Sequence, residues 1–394
     1  MKFQPSCRYE EFEQKAFGGG TAVAWISSES EDICWDKFLQ ETPYGQFQQS
    51  TIWARAKQPG GWKPVRVVVT TDGEIVGGFQ ILRRPYWWGG IGYLSKGPVV
   101  LAPAPEIADF ATELLRKLSR RERLRALVVQ PPDLCEQMPT RLAGGGFEPD
   151  VLGEVNSATW IVGLEGGFEA VEQRMDGEAR RKARQAVKRG VSIREGGRQD
   201  LETFFELMLS TCKRQQVDPN PPDVQHLFAL WDAAYPAGCI RLYFADYEGK
   251  PLTGYIDIGF GKTLTQWKKG WTSTEGQRNP NDLGTYEALK WASGNGYRSY
   301  DFSAFDKKIA MALLNGEPLS AEQERTRHTF FIRFGGAPRL LPESRVYFPN
   351  PLLRLAYRVY FRNKIRQAEE EGKSTSGLST VCDGPKLAGA GKPI

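Results

Sequence analysis

The chain has 394 residues, 40% of them hydrophobic and 25% charged, and carries a formal net charge of +5 at pH 7. That length exceeds what one hydrophobic core normally organises, so two domains are predicted. No run approaches the roughly 20 apolar residues needed to cross a bilayer, and the start lacks the basic-then-apolar order of a secretory signal, so a cytoplasmic protein without membrane insertion is expected. The six cysteines (Cys7, Cys34, Cys135, Cys212, Cys239 and Cys382) are scattered and form no C-x-x-C pair; with only two histidines, His226 and His328, neither a metal site nor a Ser-His-Asp triad is suggested. Residues 180–189 (RRKARQAVKR) hold six basic side chains and no acid, so the positive balance is one local patch, suited to phosphates.

After an irregular start, short helices are predicted at 32–40 and 52–57. A β-branched strand at 64–71, the turn Asp72-Gly73 and a second strand at 74–83 form a hairpin. A strand at 93–101, an amphipathic helix at 105–120 and a short strand at 124–130 complete this half, with a boundary near residue 150. The second half repeats the order: a strand at 159–163, the basic helix, a strand at 191–195 and helices at 200–212 and 223–234. A hairpin of 239–246 and 252–260 and a third strand at 262–271 follow, then a helix at 282–293 and a strand at 298–302. This describes an α/β (α+β) chain of two similar lobes, 1–150 and 151–345. Residues 306–327 are polar, helix-permissive and without a clear apolar face, as suits either a flexible active-site loop or a surface excursion. A basic, aromatic helix from residue 351 is expected to pack back on the body, before a disordered tail at 373–394.

The segments PYGQFQQSTIWARAK (43–57), VRVVVTTDGEIVGG (65–78), YLSKGPV (93–99), RRKARQAVKRGVSI (180–193), NDLGTYEALKWA (281–292) and YDFSAF (300–305) occur in an order that resembles the FemABX family. The resemblance spans roughly residues 40–340. It implies two GNAT-like acyltransferase lobes and transfer of an amino acid from aminoacyl-tRNA, as co-substrate, to an amine of a peptidoglycan precursor or peptide-like metabolite. The chain is similar to the compact, FemX-type members because it lacks the helical coiled-coil arm of the longer ones, and this likeness implies that residues 346–372 return to complete the first lobe. No cofactor or metal is implied, because an ester on tRNA is already activated, and a monomer is expected.

The resemblance also assigns residues. Arg55 and Lys57 match a position where compact members place a basic residue to hold the acceptor's phosphates; the bland alternative is a solvated helix face. Arg180 and Arg184, four apart on one helical face, suit a diphosphate-linked acceptor or the tRNA backbone. On the third strand, alternation sends Trp267, Lys269 and Trp271 to one side, where the family tends to have tyrosines facing the acceptor, and Lys268 to the other. Lys269 then polarises the carbonyl or is a snorkelling lysine beside an aromatic core stripe. In HTFFIRFGG (328–336), Phe331 stands at the family's lysine position. Arg333, two residues on along an expected strand, is the nearest replacement. The acid that some members carry near Pro132 is absent; Asp133 is adjacent. Asp301 and Asp257 are candidate bases or buried ion-pair partners. Two other functions stay open: an acyl-CoA- or carrier-dependent N-acyltransferase, although QRNPNDLGTYEA (277–288) offers only one late glycine for a pyrophosphate turn, and a non-catalytic binding protein.

Overall fold

A computed structural model describes residues 3, 8–18, 20–101, 105–153 and 155–375. The expectation of a tail at 373–394 falls mostly outside these residues, and the last helix runs to Thr375.

The first sheet contains β1 (Tyr9–Phe17), β2 (Gly20–Ser27), β3 (Lys63–Thr71), β4 (Glu74–Arg84), β5 (Gly90–Ser95), β6 (Val99–Val100), β7 (Leu124–Gln130) and β8 (Glu148–Pro149). The second contains β9 (Ala158–Gly163), β10 (Val191–Gly196), β11 (Ile240–Tyr247), β12 (Lys250–Phe260), β13 (Thr263–Trp271), β14 (Ser299–Asp301) and β15 (Ala337–Leu340). A last strand, β16 (Arg345–Tyr347), returns to the first sheet, between β7 and β8. Each sheet runs antiparallel through a hairpin and then makes a parallel pair, β5 with β7 and β13 with β14. Both hairpins turn on two residues in the left-handed region, Asp72 and Gly73 in one and Glu248 and Gly249 in the other, the geometry that matches strand twist.

Several expectations need correcting. The start is not irregular: β1 and β2 pair and extend the sheet edge. The strand expected at 93–101 divides into β5 and β6 at Lys96, whose positive φ turns the chain. Residues 306–327 are not a loop; Lys307–Leu314 forms a helix because Ile309, Ala310 and Ala312 bury one face, and Ala321–Glu324 forms a capped turn of helix. Residues 328–336 are not a strand, since His328–Ile332 is helical and Gly335 and Gly336 then turn the chain into β15. A Cβ on Gly336 would lie 2.2 Å from the Ile161 carbonyl oxygen, so no other residue fits that turn unchanged. The C-terminal helix breaks at Phe361 into Pro351–Tyr360 and Arg362–Thr375.

One apolar cluster joins the lobes: Trp35, Phe47 and Trp53 of the first pack with Leu230, Phe244 and Ile258 of the second. The lobes therefore share a core, and the space between them is a fixed groove lined by β13.

Candidate active site

The strand β13 organises the site. It pairs with β14 at three positions, ending at Thr265 opposite Asp301, while Gln266–Trp271 continue beside β12 alone. Ser303 donates to the Gln266 carbonyl at 3.0 Å where the two strands part, leaving a notch between them. Opposite the notch the β12 register slips: Asp257 faces Gln266 but Ile256 faces Lys268, so Trp267 is an extra residue. This bulge overturns the simple alternation. Trp267 and Lys268 both lie on the inter-lobe face, with Trp267 edge-on to Trp53 at 6.2 Å. Lys269 lies on the opposite face with its partner Tyr255.

On that opposite face, Lys269 Nζ sits 4.6 Å from the Phe330 ring and 5.3 Å from Tyr255. Burial pushes its ammonium down to about 7, with Asp282 opposing the shift and Arg214 adding to it. Asp282 is buried in the first turn of the helix Pro280–Gly294, and burial raises its carboxyl against the pull of Arg333, Lys182 and Lys269. Arg333 reaches the same carboxylate at 3.4 Å, Glu178 at 3.9 Å, and crosses Phe330 at 5.2 Å. Its backbone is held by the Asp176 N–H, which donates to the Arg333 carbonyl at 2.8 Å. The structure thus brings Lys269 and Arg333 together from distant segments. Trp271 follows on the same face under the Arg214 guanidinium at 4.8 Å, and its buried Nε1 donor has no partner among the described residues. Asp282 and Arg214 were not picked out from sequence; a lone acid at a helix start reads as a dipole complement, and Arg214 as a helix-end cation.

Asp301 is on the other face. It lines an inter-lobe pocket with Asp133, Gln46, Thr265 and Arg339. Asp301 accepts from Thr159 and, at 2.7 Å, from the Ser303 N–H; burial raises its carboxyl, and Asp133 adds to this. Asp133 pairs with Lys96 and accepts from Gln46 Nε2 at 2.6 Å. Further along the same face Lys57 lies 4.4 Å over the Trp53 ring. Burial and then the charge of Lys268 push it down to about 8, while burial also lowers Lys268. Two half-buried lysines side by side, one depressed by the charge of the other, form an arrangement able to hold an anion. Sequence alternation put Lys268 on the wrong face, so this pairing needs the bulge.

The remaining candidates are placed differently. Arg55 ties the lobes, pairing with Glu31 and donating to the Ala233 carbonyl at 3.1 Å, so its guanidinium is engaged in structure. Phe331 packs on Phe302 at 4.8 Å within the second-lobe core, and being on a helix it does not share a face with Arg333. The basic helix Gly177–Lys188 buries Ala179, Ala183 and Ala186; Glu178 and Lys182, paired at 2.7 Å, flank that stripe toward Arg333. By helical spacing Arg180 and Arg184 lie along its other edge; Arg180 keeps its Nε buried without a hydrogen-bond partner among the described residues, and Arg184 is exposed. Asp257 is fully buried beneath Tyr243 and Tyr300 at 3.1 and 3.3 Å, and burial raises it to about 7, so it is a core carboxyl.

Known proteins match this arrangement. A FemAB family model matches residues 31–142 and an acetyltransferase (GNAT) domain model matches residues 173–308. A Lipid II:glycine glycyltransferase of Staphylococcus saprophyticus is 28% identical over 236 residues, 56% of this chain and 56% of that protein. A protein of the same name from Staphylococcus aureus is 25% identical over 260 residues, 61% of each chain. The match therefore spans little more than half the length of these relatives. The crystal structure of FemX superposes with a TM-score of 0.69 at 19% identity, covering 82% of this chain and 97% of that one, which establishes the shared fold. The chain is thus similar to the FemAB family over residues 31–142 and to GNAT acetyltransferase domains over residues 173–308, and it is built on two GNAT-like lobes with the fold of FemX.

Proposed function

We propose that the protein is an amide-forming acyltransferase that moves an aminoacyl group from aminoacyl-tRNA to the amine of a phosphate-bearing peptidoglycan precursor. The observation that carries this reading is the notch between β13 and β14, which has Lys269, Asp282 and Arg333 on one face and Asp133 and Asp301 on the other. The donor ester lies on the Lys269 face, its carbonyl toward Lys269 and Arg333. The acceptor enters between the lobes, its amine at the carboxylates and its phosphate near Lys57 and Lys268.

In this arrangement the neutral amine attacks the ester carbon and a tetrahedral oxyanion forms, stabilised by the cations of Lys269 and Arg333. The amine proton passes to the inter-lobe carboxylate of Asp301 or Asp133, and that carboxyl returns it to the ribose oxygen as the C–O bond breaks, so the ribose leaves as a hydroxyl and the carboxylate is restored. Fixing both reactants across one notch can supply about 7 kcal/mol or more of the barrier reduction, so no covalent intermediate is required. The Trp271 ring under Arg214 offers a stacking platform for the terminal base of the tRNA.

Asp282 speaks for tRNA over acyl-CoA. It occupies the first turn of the helix whose N-terminus holds the CoA pyrophosphate in a GNAT lobe, and a carboxyl there opposes a dianion. The test is label transfer from charged tRNA or acyl-CoA to peptidoglycan precursors. RNase-sensitive transfer is expected; transfer from acyl-CoA overturns the donor, and binding without transfer overturns the enzyme.

A further inference from the structure

The helix Pro351–Tyr360 holds the body with its polar side and shows solvent its apolar side. Facing the body, Arg354 Nε meets Glu148 at 2.5 Å and Arg358 approaches the same carboxylate at 3.6 Å. Tyr357 is buried, donating its hydroxyl to the Pro149 carbonyl at 2.8 Å. Facing outward, Leu352, Leu355 and Val359 are 73%, 59% and 69% exposed, and Tyr360 beside them is 82% exposed. The first three stand at i, i+3 and i+7, one continuous helical stripe.

A second exposed apolar feature is the tip between β4 and β5. Trp87 is 96% exposed there, between Tyr86 and Trp88, whose rings stack at 5.1 Å. Arg84 lies over Tyr86 and Arg125 Nε donates to the Trp88 carbonyl at 2.6 Å, so cations flank this tip as well. The two features share one end of the first sheet. Arg125 is at the start of β7, and β16 runs antiparallel to β7 with Tyr347 opposite Leu127, so the chain leaves β16 toward that start and enters the helix at Pro351.

We infer that the outward stripe of this helix and the Tyr86–Trp88 tip dock the protein on a lipid surface with anionic headgroups. Charge selects this occupant over a second copy of the chain. Of the five basic side chains in residues 351–366, Arg354 and Arg358 face Glu148 and Arg366 faces Glu370, while Arg362 and Lys364 are exposed on the following helix and Arg84 is exposed at the tip; these exposed cations repel a second copy of the segment and attract anionic headgroups. Tryptophan and tyrosine beside an aliphatic stripe suit the headgroup boundary, where one end of the ring is apolar and the other wet. No helix among the described residues is long and apolar enough to cross a membrane, so the contact is peripheral. The inference goes beyond acyl transfer and holds or fails without it.

The test is sedimentation of the full chain with vesicles of phosphatidylcholine alone or mixed equally with phosphatidylglycerol. Binding is expected to the mixed vesicles, to weaken with salt, and to fall about tenfold in a Leu355→Ser, Val359→Ser double variant. Trp87→Ser is expected to weaken it separately, and the parent's tryptophan emission to shift to the blue on binding. Circular dichroism checks that the variants, altered only at exposed positions, remain folded. Equal sedimentation of parent and variants, no binding to the mixed vesicles, or a dimer in analytical ultracentrifugation that the double variant dissolves would each overturn the inference.

Discussion

Arg333 and Asp282 form an ion pair, Nη2 to Oδ1 at 3.4 Å, between a short helical turn and the start of a helix some fifty residues earlier. The same carboxyl supports the charge of Lys269. Asp282→Asn leaves two cations without their shared counter-charge. Loss of about 1–3 kcal/mol of stability is expected, read as a lower midpoint in denaturant. Turnover is expected to fall about tenfold or more, because Arg333 and Lys269 lose their fixed positions. A variant with unchanged turnover would show that the pair is structural only.

Lys269 has a pH signature. Its folded value of about 7 means that the ammonium is lost as pH rises through neutrality, so kcat/KM is expected to fall above about pH 7 if that ammonium polarises the ester. Lys269→Arg should keep activity on the alkaline side, since a guanidinium stays charged, and Lys269→Ala should remove most activity. A parent rate that rises through pH 7 would point to the neutral amine as a base instead. Stability has the opposite sense: a lysine whose value is depressed by folding costs most below its folded value, and the cost is relieved as pH climbs toward the unfolded value near 10.5. Lys269→Met should therefore stabilise the protein more at pH 6 than at pH 9, as thermal unfolding at the two pH values would measure.

Much of the frame is legible in the sequence because its signals are local. Asp72-Gly73 and Glu248-Gly249 announce the hairpins, and the apolar spacing in residues 105–120 announces a helix that the structure places at Pro105–Arg121. What escapes is set by tertiary partners. In residues 328–336, Phe330, Phe331 and Phe334 are compatible with a strand or a helix; packing against Phe302 and Phe305 selects the helix. The bulge at Trp267 depends on the register of β12, which no property of β13 reveals, and it alone moves Lys268 to Lys57. Asp282 is inconspicuous until Arg333 is folded onto it.

Arg55 and Lys57 sit two residues apart and should respond differently. Arg55→Ala breaks the pair with Glu31 and the hydrogen bond to the Ala233 carbonyl that ties the lobes, so a loss of about 1 kcal/mol in stability with little change in acceptor KM is expected. Lys57→Ala and Lys268→Ala should raise the KM for a phosphate-bearing acceptor. They should not act additively, because the charge of Lys268 lowers that of its neighbour Lys57. If Arg55→Ala alone raised that KM, the phosphate would belong with Arg55.

The basic helix offers the last test. Lys182 is paired with Glu178 toward the Arg333 cluster, whereas Arg180 and Arg184 lie along its other edge, with Arg184 exposed. Contacts from those two arginines to RNA phosphates would release counterions, so the double variant Arg180→Ala, Arg184→Ala should lower the slope of log affinity against log salt by about 1.5. Lys182→Ala should change the slope less, because that ammonium already has a carboxylate beside it. Measuring tRNA affinity across a salt series separates these outcomes. An unchanged slope in the double variant would return Arg180 and Arg184 to an ordinary solvated helix face and move the RNA contact toward Arg214 and Trp271.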